Sequence, residues 1–282
     1  MKINLILVFL FTCLLSNIRG QDSASINQNA IGIERQDSLG EDIYDVISGY
    51  QLFLIGEGHG TKEPARFVQS LAELLLRKGN HVQIGLEIPS EQMKTYLSSP
   101  KNSNAYTSEF FINKPYDGRP CFAWADLIAR LSGRHDVEFF FYDINFGEFK
   151  DFEERDSLMY LKIKKRIQLH PDWKTITLGG NIHAMLRHYN GKTKMGLYLR
   201  DDKDLQIEKR LLSIDHCYAT GSYWDNSNNT LQIFQADDSY SILATAVDYE
   251  NYLYLCSQIA NKNFNAIYFT RKLTASPLVG QK

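Results

Sequence analysis

Cysteine is scarce, at four in 282 residues. Cys13 lies inside an N-terminal apolar run, which leaves Cys121, Cys217 and Cys256. Three cysteines allow at most one disulfide and one leftover thiol, so this is no small disulfide-stapled scaffold. Their wide spacings match no zinc motif, and they read as small buried hydrophobes. An excess of one charge is also lacking. A formal charge of -2 and a pI near 6.4 argue against bulk nucleic-acid affinity. Beyond residue 20 no apolar run is long enough for a stable membrane span. There is no internal repeat. No Gly-x-Ser-x-Gly elbow is present, which disfavours a serine nucleophile. What is present is ordinary for a globular chain with a real core: 44% hydrophobic and 23% charged residues.

The first twenty residues read as a signal peptide. Lys2 supplies the positive end, Ile3 to Ser16 is almost wholly apolar, and Ile18-Arg19-Gly20 offers a cleavage site. Polar Gln21-Asp22-Ser23 follows at once. Cleavage after Gly20 would remove Lys2 and Arg19 and no acid, moving the charge from -2 to -4. The expected location is secreted or periplasmic.

Residues 21–48 read as a loose polar arm leading into a short helix. Residues 49–282 read as one α/β domain whose C-terminal region, from about 191, is β-rich. Gln51–Ile55, Val82–Leu86, Val137–Tyr142 and Thr175–Leu178 are the first four strands. Helical patterns lie between them, most clearly over Lys62–Lys78 and Phe152–Leu169, with Thr61 as a cap for the former. This alternation predicts a mainly parallel central sheet with helices on both faces. Past Asn190 the pattern changes. Met195–Leu199, Ser213–Tyr223, Leu231–Gln235, Tyr240–Ala246 and Ala266–Thr270 read as strands of an antiparallel extension, with Asp225–Asn229 as a turn.

Polar residues fall where the first four strands end. Strand one runs into Gly56-Glu57-Gly58-His59-Gly60-Thr61, strand two ends at Glu87, and strand three at Asp143. Strand four runs into Gly179-Gly180-Asn181-Ile182-His183. In a parallel sheet these carboxyl ends share one edge, where open α/β sheets place their ligands. Glu57, His59, Glu87, Asp143 and His183 are therefore expected to converge. A helix starting near Lys62 would aim its N–H groups at His59 and favour the neutral imidazole, which serves as a base or a metal ligand. Arg155, in the first turn of its helix, falls near the same edge. It is a candidate for substrate binding or for a structural ion pair with Asp143. Arg119, in Tyr116-Asp117-Gly118-Arg119-Pro120, is a second candidate for binding a carboxylate or an oxyanion. His216, inside a strand, is a minor candidate.

Gly56-Glu57-Gly58-His59-Gly60-Thr61-Lys62-Glu63 resembles the opening motif of the erythromycin-esterase-like proteins. Their second Gly-x-x-His resembles Gly180-Asn181-Ile182-His183, their strand-two glutamate Glu87, and their Arg-Asp-x-x-Met element Arg155-Asp156-Ser157-Leu158-Met159. The same plan is similar to that of ChaN-like haem-binding lipoproteins and Tiki/TraB-type proteins. The resemblance spans roughly Leu52 to Leu199. It implies an α/β fold with His and Glu side chains in a central cleft. It also implies one of three chemistries: ester hydrolysis, metal-dependent proteolysis or haem binding.

The residues and the resemblance together lead to a hydrolase of an ester or amide bond in a small-molecule or peptide substrate. His59, Glu57, Glu87 and His183 would be catalytic, and Arg155, Arg119 and Asp143 would bind substrate. The alternative is a haem- or metal-binding protein, with His59, Glu87 and His183 as the ligands of a divalent metal.

Overall fold

The computed structural model describes residues 20–99, 104–113, 117–226, 231–236, 241–256 and 263–280. The N-terminal apolar run and most of the Asp225–Asn229 turn lie outside the described residues. Among the described residues no helix is long and apolar enough to cross a membrane.

The strands are β1 (Ile31–Gly32), β2 (Leu52–Glu57), β3 (Val82–Pro89), β4 (Val137–Asp143), β5 (Lys174–Gly180), β6 (Leu211–Asp225), β7 (Gln232–Ala236), β8 (Asn251–Leu255) and β9 (Ala266–Leu273). They form one sheet in the order β1-β8-β9-β6-β2-β5-β3-β4, with β7 hairpinned onto β6. From β9 to β4 every neighbour is parallel. Every residue of β2 and β3 is buried. That is the signature of parallel strands covered on both faces, and it is why both read as mainly apolar runs, with Gln83 as a buried exception bonded to Thr175.

The helices are α1 (Gly20–Asn29), α2 (Glu41–Ile47), α3 (Glu63–Arg77), α4 (Lys94–Ser98), α5 (Glu109–Ile112), α6 (Phe122–Leu131), α7 (Phe152–Leu169), α8 (Asn181–Ala184), α9 (Met195–Asp201) and α10 (Ser241–Ala246). One face of the sheet is covered by α2, α3 and α6, which bring Ile43, Val68, Leu71, Leu75 and Trp124 into the largest core cluster. The other is covered by α7, α8 and α9, through Met159, Ile163, Ala184, Met195 and Leu199. Helix α3 has proline in its first turn and stops at Gly79, whose φ of +80° favours glycine.

The α/β class and the four leading strands match expectation; the C-terminal region needs three corrections. Met195–Leu199 is helix, not strand. Four of its five residues are buried, so its hydrophobic pattern carries no period. Tyr240–Ala246 was expected as a strand, but Ser241–Ala246 is helical and sets Leu243 and Ala246 against Ile26 of α1. The polar arm thus carries a helix of its own. Lastly, the late strands are not simply an antiparallel flank. β6 inserts beside β2 in parallel, completing the pairing of a strand buried on all sides, and β9 continues parallel beyond it. Among the described strands β7 and β8 run against the rest, β1 pairing antiparallel with β8, and β8 falls on an Asn-Tyr-Leu-Tyr-Leu alternation that was not assigned. Cys121, Cys217 and Cys256 form no disulfide with one another.

His216 illustrates a cost of this insertion. Its imidazole lies between β6 and β9, stacked on Tyr268, with Nε2 2.9 Å from Thr270 Oγ1 and no partner for Nδ1. Burial pushes it down to about 3. A folded-state value below the ordinary 6.5 means that the unfolded chain takes the proton first. The stability present above pH 6.5 is therefore lost as pH falls toward 3. His216→Asn should remove about 2 kcal/mol of the stability loss between pH 6.5 and 5, read from urea midpoints. Equal slopes in the two proteins would show that His216 is not held neutral.

Candidate active site

Strands β2, β5, β3 and β4 are consecutive neighbours, so their carboxyl ends deliver Glu57, Gly180, Glu87 and Asp143 to one edge. The glycines at the end of β5 make room for what gathers there. A methyl group on Gly179 would fall on the Tyr142 hydroxyl and 2.5 Å from Glu87 Oε2. One on Gly180 would stand 3.2 Å from His59 Nε2 and 3.5 Å from His183 Cδ2. Both imidazoles therefore face the same space above Gly180.

Glu87 is the centre of the floor. Its Oε1 accepts from Arg155 Nη2 at 2.8 Å and Arg119 Nη1 at 3.1 Å, and its Oε2 from the Gly180 N–H at 2.6 Å. Arg119 also donates from Nη1 to Asp143 Oδ2 at 2.9 Å and to the Glu87 carbonyl at 2.8 Å, while its Nε donates to Asp117. Arg155 Nε donates to Asp143 Oδ1 at 2.8 Å. Burial alone would raise the Glu87 carboxyl, but the surrounding positive charge, including the guanidinium groups of Arg119 and Arg155, holds it well below the usual carboxylate range. Arg119 and Asp143, expected to meet substrate, are committed to this network, and Asp143 also caps the Ile144 N–H at 2.7 Å.

The two histidines are held differently. His59 Nδ1 lies 3.3 Å from Glu57 Oε1, which leaves Nε2 toward Gly180, and its side chain is 26% exposed. Burial pulls its pKa down, but the hydrogen bond to Glu57 and the charges of Glu87 and Asp117 outweigh this and raise it. The expected neutral histidine is thus corrected: carboxylates, not the helix, set its proton. Thr61 does not cap α3 either; its hydroxyl donates to the Gly58 carbonyl at 3.1 Å, and Lys62 holds the cap position. Glu57 is fully buried and pushed up to about 7, chiefly by desolvation. Among the described residues neither its Oε2 nor the buried Trp124 Nε1 makes a well-formed hydrogen bond, although the indole N–H is near enough to the carboxyl to hold it down slightly.

His183 lies 13% exposed between Asp156 and Arg155. Nδ1 is 2.7 Å from Asp156 Oδ1, and Nε2 is 3.1 Å from Arg155 Nη1. A guanidinium only donates, so Nε2 is the acceptor and Nδ1 carries the hydrogen toward Asp156. Asp156 also accepts from the Met195 N–H at 3.0 Å and from buried Lys194 at 3.1 Å.

Every residue singled out in the sequence thus reaches this edge except His216. The sequence reading missed Asp156, Asp117 and Lys194. Asp156 had a signal, being the acid of the Arg-Asp-x-x-Met element. Asp117 enters because Gly118 packs against Gly60: a methyl group on Gly60 would lie 2.7 Å from Gly118 Cα. That contact seats the Arg119 turn beside the His59 loop.

No family model matches the sequence, and no curated protein matches it. Solved structures do. A Bacillus cereus protein superposes with a TM-score of 0.71 at 11% identity, over 92% of this chain and 98% of its own. A succinoglycan biosynthesis protein gives 0.63 at 12%, over 91% and 97%. An erythromycin esterase mutant in its open conformation gives 0.63 at 15%, over 85% and 95%. The chain has the erythromycin-esterase fold. In this fold the histidine and glutamate side chains stand at the carboxyl edge of the parallel strands, where open α/β sheets commonly place their ligands.

The donors here do not fit a resident metal ion. Both nitrogens of His183 are engaged by protein groups, and Glu87 is shared between two guanidinium groups. Among the described residues no group of three or more His, Cys, Asp or Glu side chains is placed to hold one. Haem would find one open imidazole nitrogen, on His59, above a floor of charged pairs where a cofactor site is ordinarily apolar.

Glu87→Gln should destabilise the fold by about 3 kcal/mol or more, because it leaves two buried arginines short of a counter-charge. Chemical denaturation measures this, and a variant as stable as the parent would contradict the network.

Proposed function

We propose that this chain is a secreted hydrolase that cleaves an ester or amide bond with His59 as general base. The observation that carries this reading is the orientation of His59. Its Nδ1 is turned to a buried carboxylate and its Nε2 to open space shared with His183. Nε2 takes a proton from a water held above Gly180, and the water oxygen attacks the substrate carbonyl. Glu57 stabilises the imidazolium that results. The same proton then passes from Nε2 to the leaving group as the tetrahedral intermediate collapses. Negative charge developing on the carbonyl oxygen is favoured by Arg155, which His183 holds at the edge of the cleft. Asp156 fixes the tautomer of His183, and Glu87 with Asp143 fixes Arg155. Export rests on the N-terminal sequence, whose apolar run and polar flank have the form of a cleaved signal.

A screen of ester and peptide substrates tests this reading, with haem added in parallel and followed by its absorption band. Hydrolysis without a haem complex supports it; a stoichiometric haem complex without hydrolysis overturns it. His59→Ala should lower turnover about a hundredfold to ten-thousandfold and leave the circular dichroism spectrum unchanged. The pH profile carries a second check. The base form of His59 grows as pH rises through its raised pKa, so activity should climb through neutrality. Glu57→Gln removes the carboxylate hydrogen bond, the strongest of the influences that raise it, and leaves burial, which lowers it, against the charges of Glu87 and Asp117. The ascending limb should then move to lower pH, at reduced turnover. An unmoved limb would separate Glu57 from the base.

A further inference from the structure

A second concave site lies on the outer side of α3 and α6, away from the sheet. It is a groove of about 630 Å³ whose walls carry Lys62 and Arg66 of the α3 start, Arg130 of α6 and Arg35. The opposing acids are Asp37 and Asp126. Arg35 and Asp37 neutralise each other through two contacts of 3.0 Å. Asp126 accepts the Tyr106 hydroxyl. Among the described residues no carboxylate lies within ion-pair distance of Lys62, Arg66 or Arg130. The groove therefore holds an excess of two positive charges on a chain whose formal charge is -2. Phe122, 39% exposed, adds an aromatic wall.

Three cations on one groove repel one another, Arg66 being only partly offset by the charges of Asp37 and Glu63, and a bound anion relieves that repulsion. Two of them are arginines, whose planar donor forks match the oxygens of a phosphate. An excess of two charges matches a dianion, and an aromatic wall beside it suits a ring attached to that dianion. From this we infer that the groove binds a dianionic small molecule, a phosphate monoester of a ring-bearing alcohol. The site is independent of the hydrolytic cleft in its residues. It touches the same loop, however, since the Ser276 N–H on its wall donates to the Gly60 carbonyl at 2.8 Å, one residue from His59.

Calorimetric titration of the full chain at low salt, with phenyl phosphate and with inorganic phosphate, tests the inference. Both ligands should bind, phenyl phosphate the tighter. Arg66→Gln and Arg130→Gln, both exposed positions, should each weaken phenyl phosphate about tenfold, and the double variant should abolish binding. Phe122→Ala should weaken phenyl phosphate and leave inorganic phosphate unchanged. His59→Ala should bind both as the parent does, which separates this result from the fate of the hydrolase reading. No heat of binding to the parent, or binding that survives the double variant, overturns the inference. So does binding lost in His59→Ala, because the anion would then occupy the catalytic cleft.

Discussion

One buried carboxylate organises this molecule. Glu87 lies near the carboxyl end of a strand buried on both faces and meets two guanidinium groups and a backbone N–H. Desolvating an ion costs several kcal/mol, and only full pairing with good geometry offsets it. The requirement reaches outward from Glu87. Arg119 and Arg155 are themselves buried and need Asp117 and Asp143. Those partners come from a loop, a strand end and a helix that must all stop at the same edge. The empty side of Gly179 and Gly180 is part of the same requirement, because a side chain there would displace the carboxylate or the imidazoles. Stability and placement of the site are therefore one problem.

Above that floor the two histidines are held in opposite ways. Glu57 and His59 form a pair in which burial raises the acid toward 7 and the acid in turn raises the base. Near neutrality such a pair titrates as a unit, so one proton is shared and neither group acts alone. His183 is fixed, with Asp156 on one nitrogen and Arg155 on the other. The first arrangement is suited to moving a proton, the second to holding a positive group in place. On the proposed hydrolytic reading, such a cleft would supply a base, its counter-charge and a cationic rim from its own side chains.

Much of this was legible in the sequence, for a physical reason. Strands of a parallel sheet buried on both faces are mainly apolar, so an acid or a glycine pair at the far end of the run stands out, even though Gly85 and Glu138 lie within strands. Glu57, Glu87, Asp143 and the Gly179-Gly180 pair are such marks. Met195–Leu199 and Tyr240–Ala246 carried no such clarity, since a short, almost wholly buried stretch has no period to separate helix from strand. The partner of His183 was hidden for another reason. Arg155 and Asp156 are adjacent in sequence, yet Arg155 turns to Glu87 and Asp156 to His183, Lys194 and the start of α9. Their division of labour depends on how α7 is rotated against α8, which no local pattern records. The approach of Gly118 to Gly60 is likewise a contact between distant loops.

The tautomer of His183 tests the organisation of the site most directly. Nitrogen-15 chemical shifts of the imidazole, recorded at neutral pH on the full chain, distinguish its two ring nitrogens. With Arg155 donating to Nε2 and Asp156 accepting from Nδ1, the hydrogen belongs on Nδ1, and Nε2 should show the shift of an acceptor nitrogen. A hydrogen on Nε2 would contradict this, because it would face the guanidinium of Arg155, and the floor on which His59 acts would have to be arranged differently.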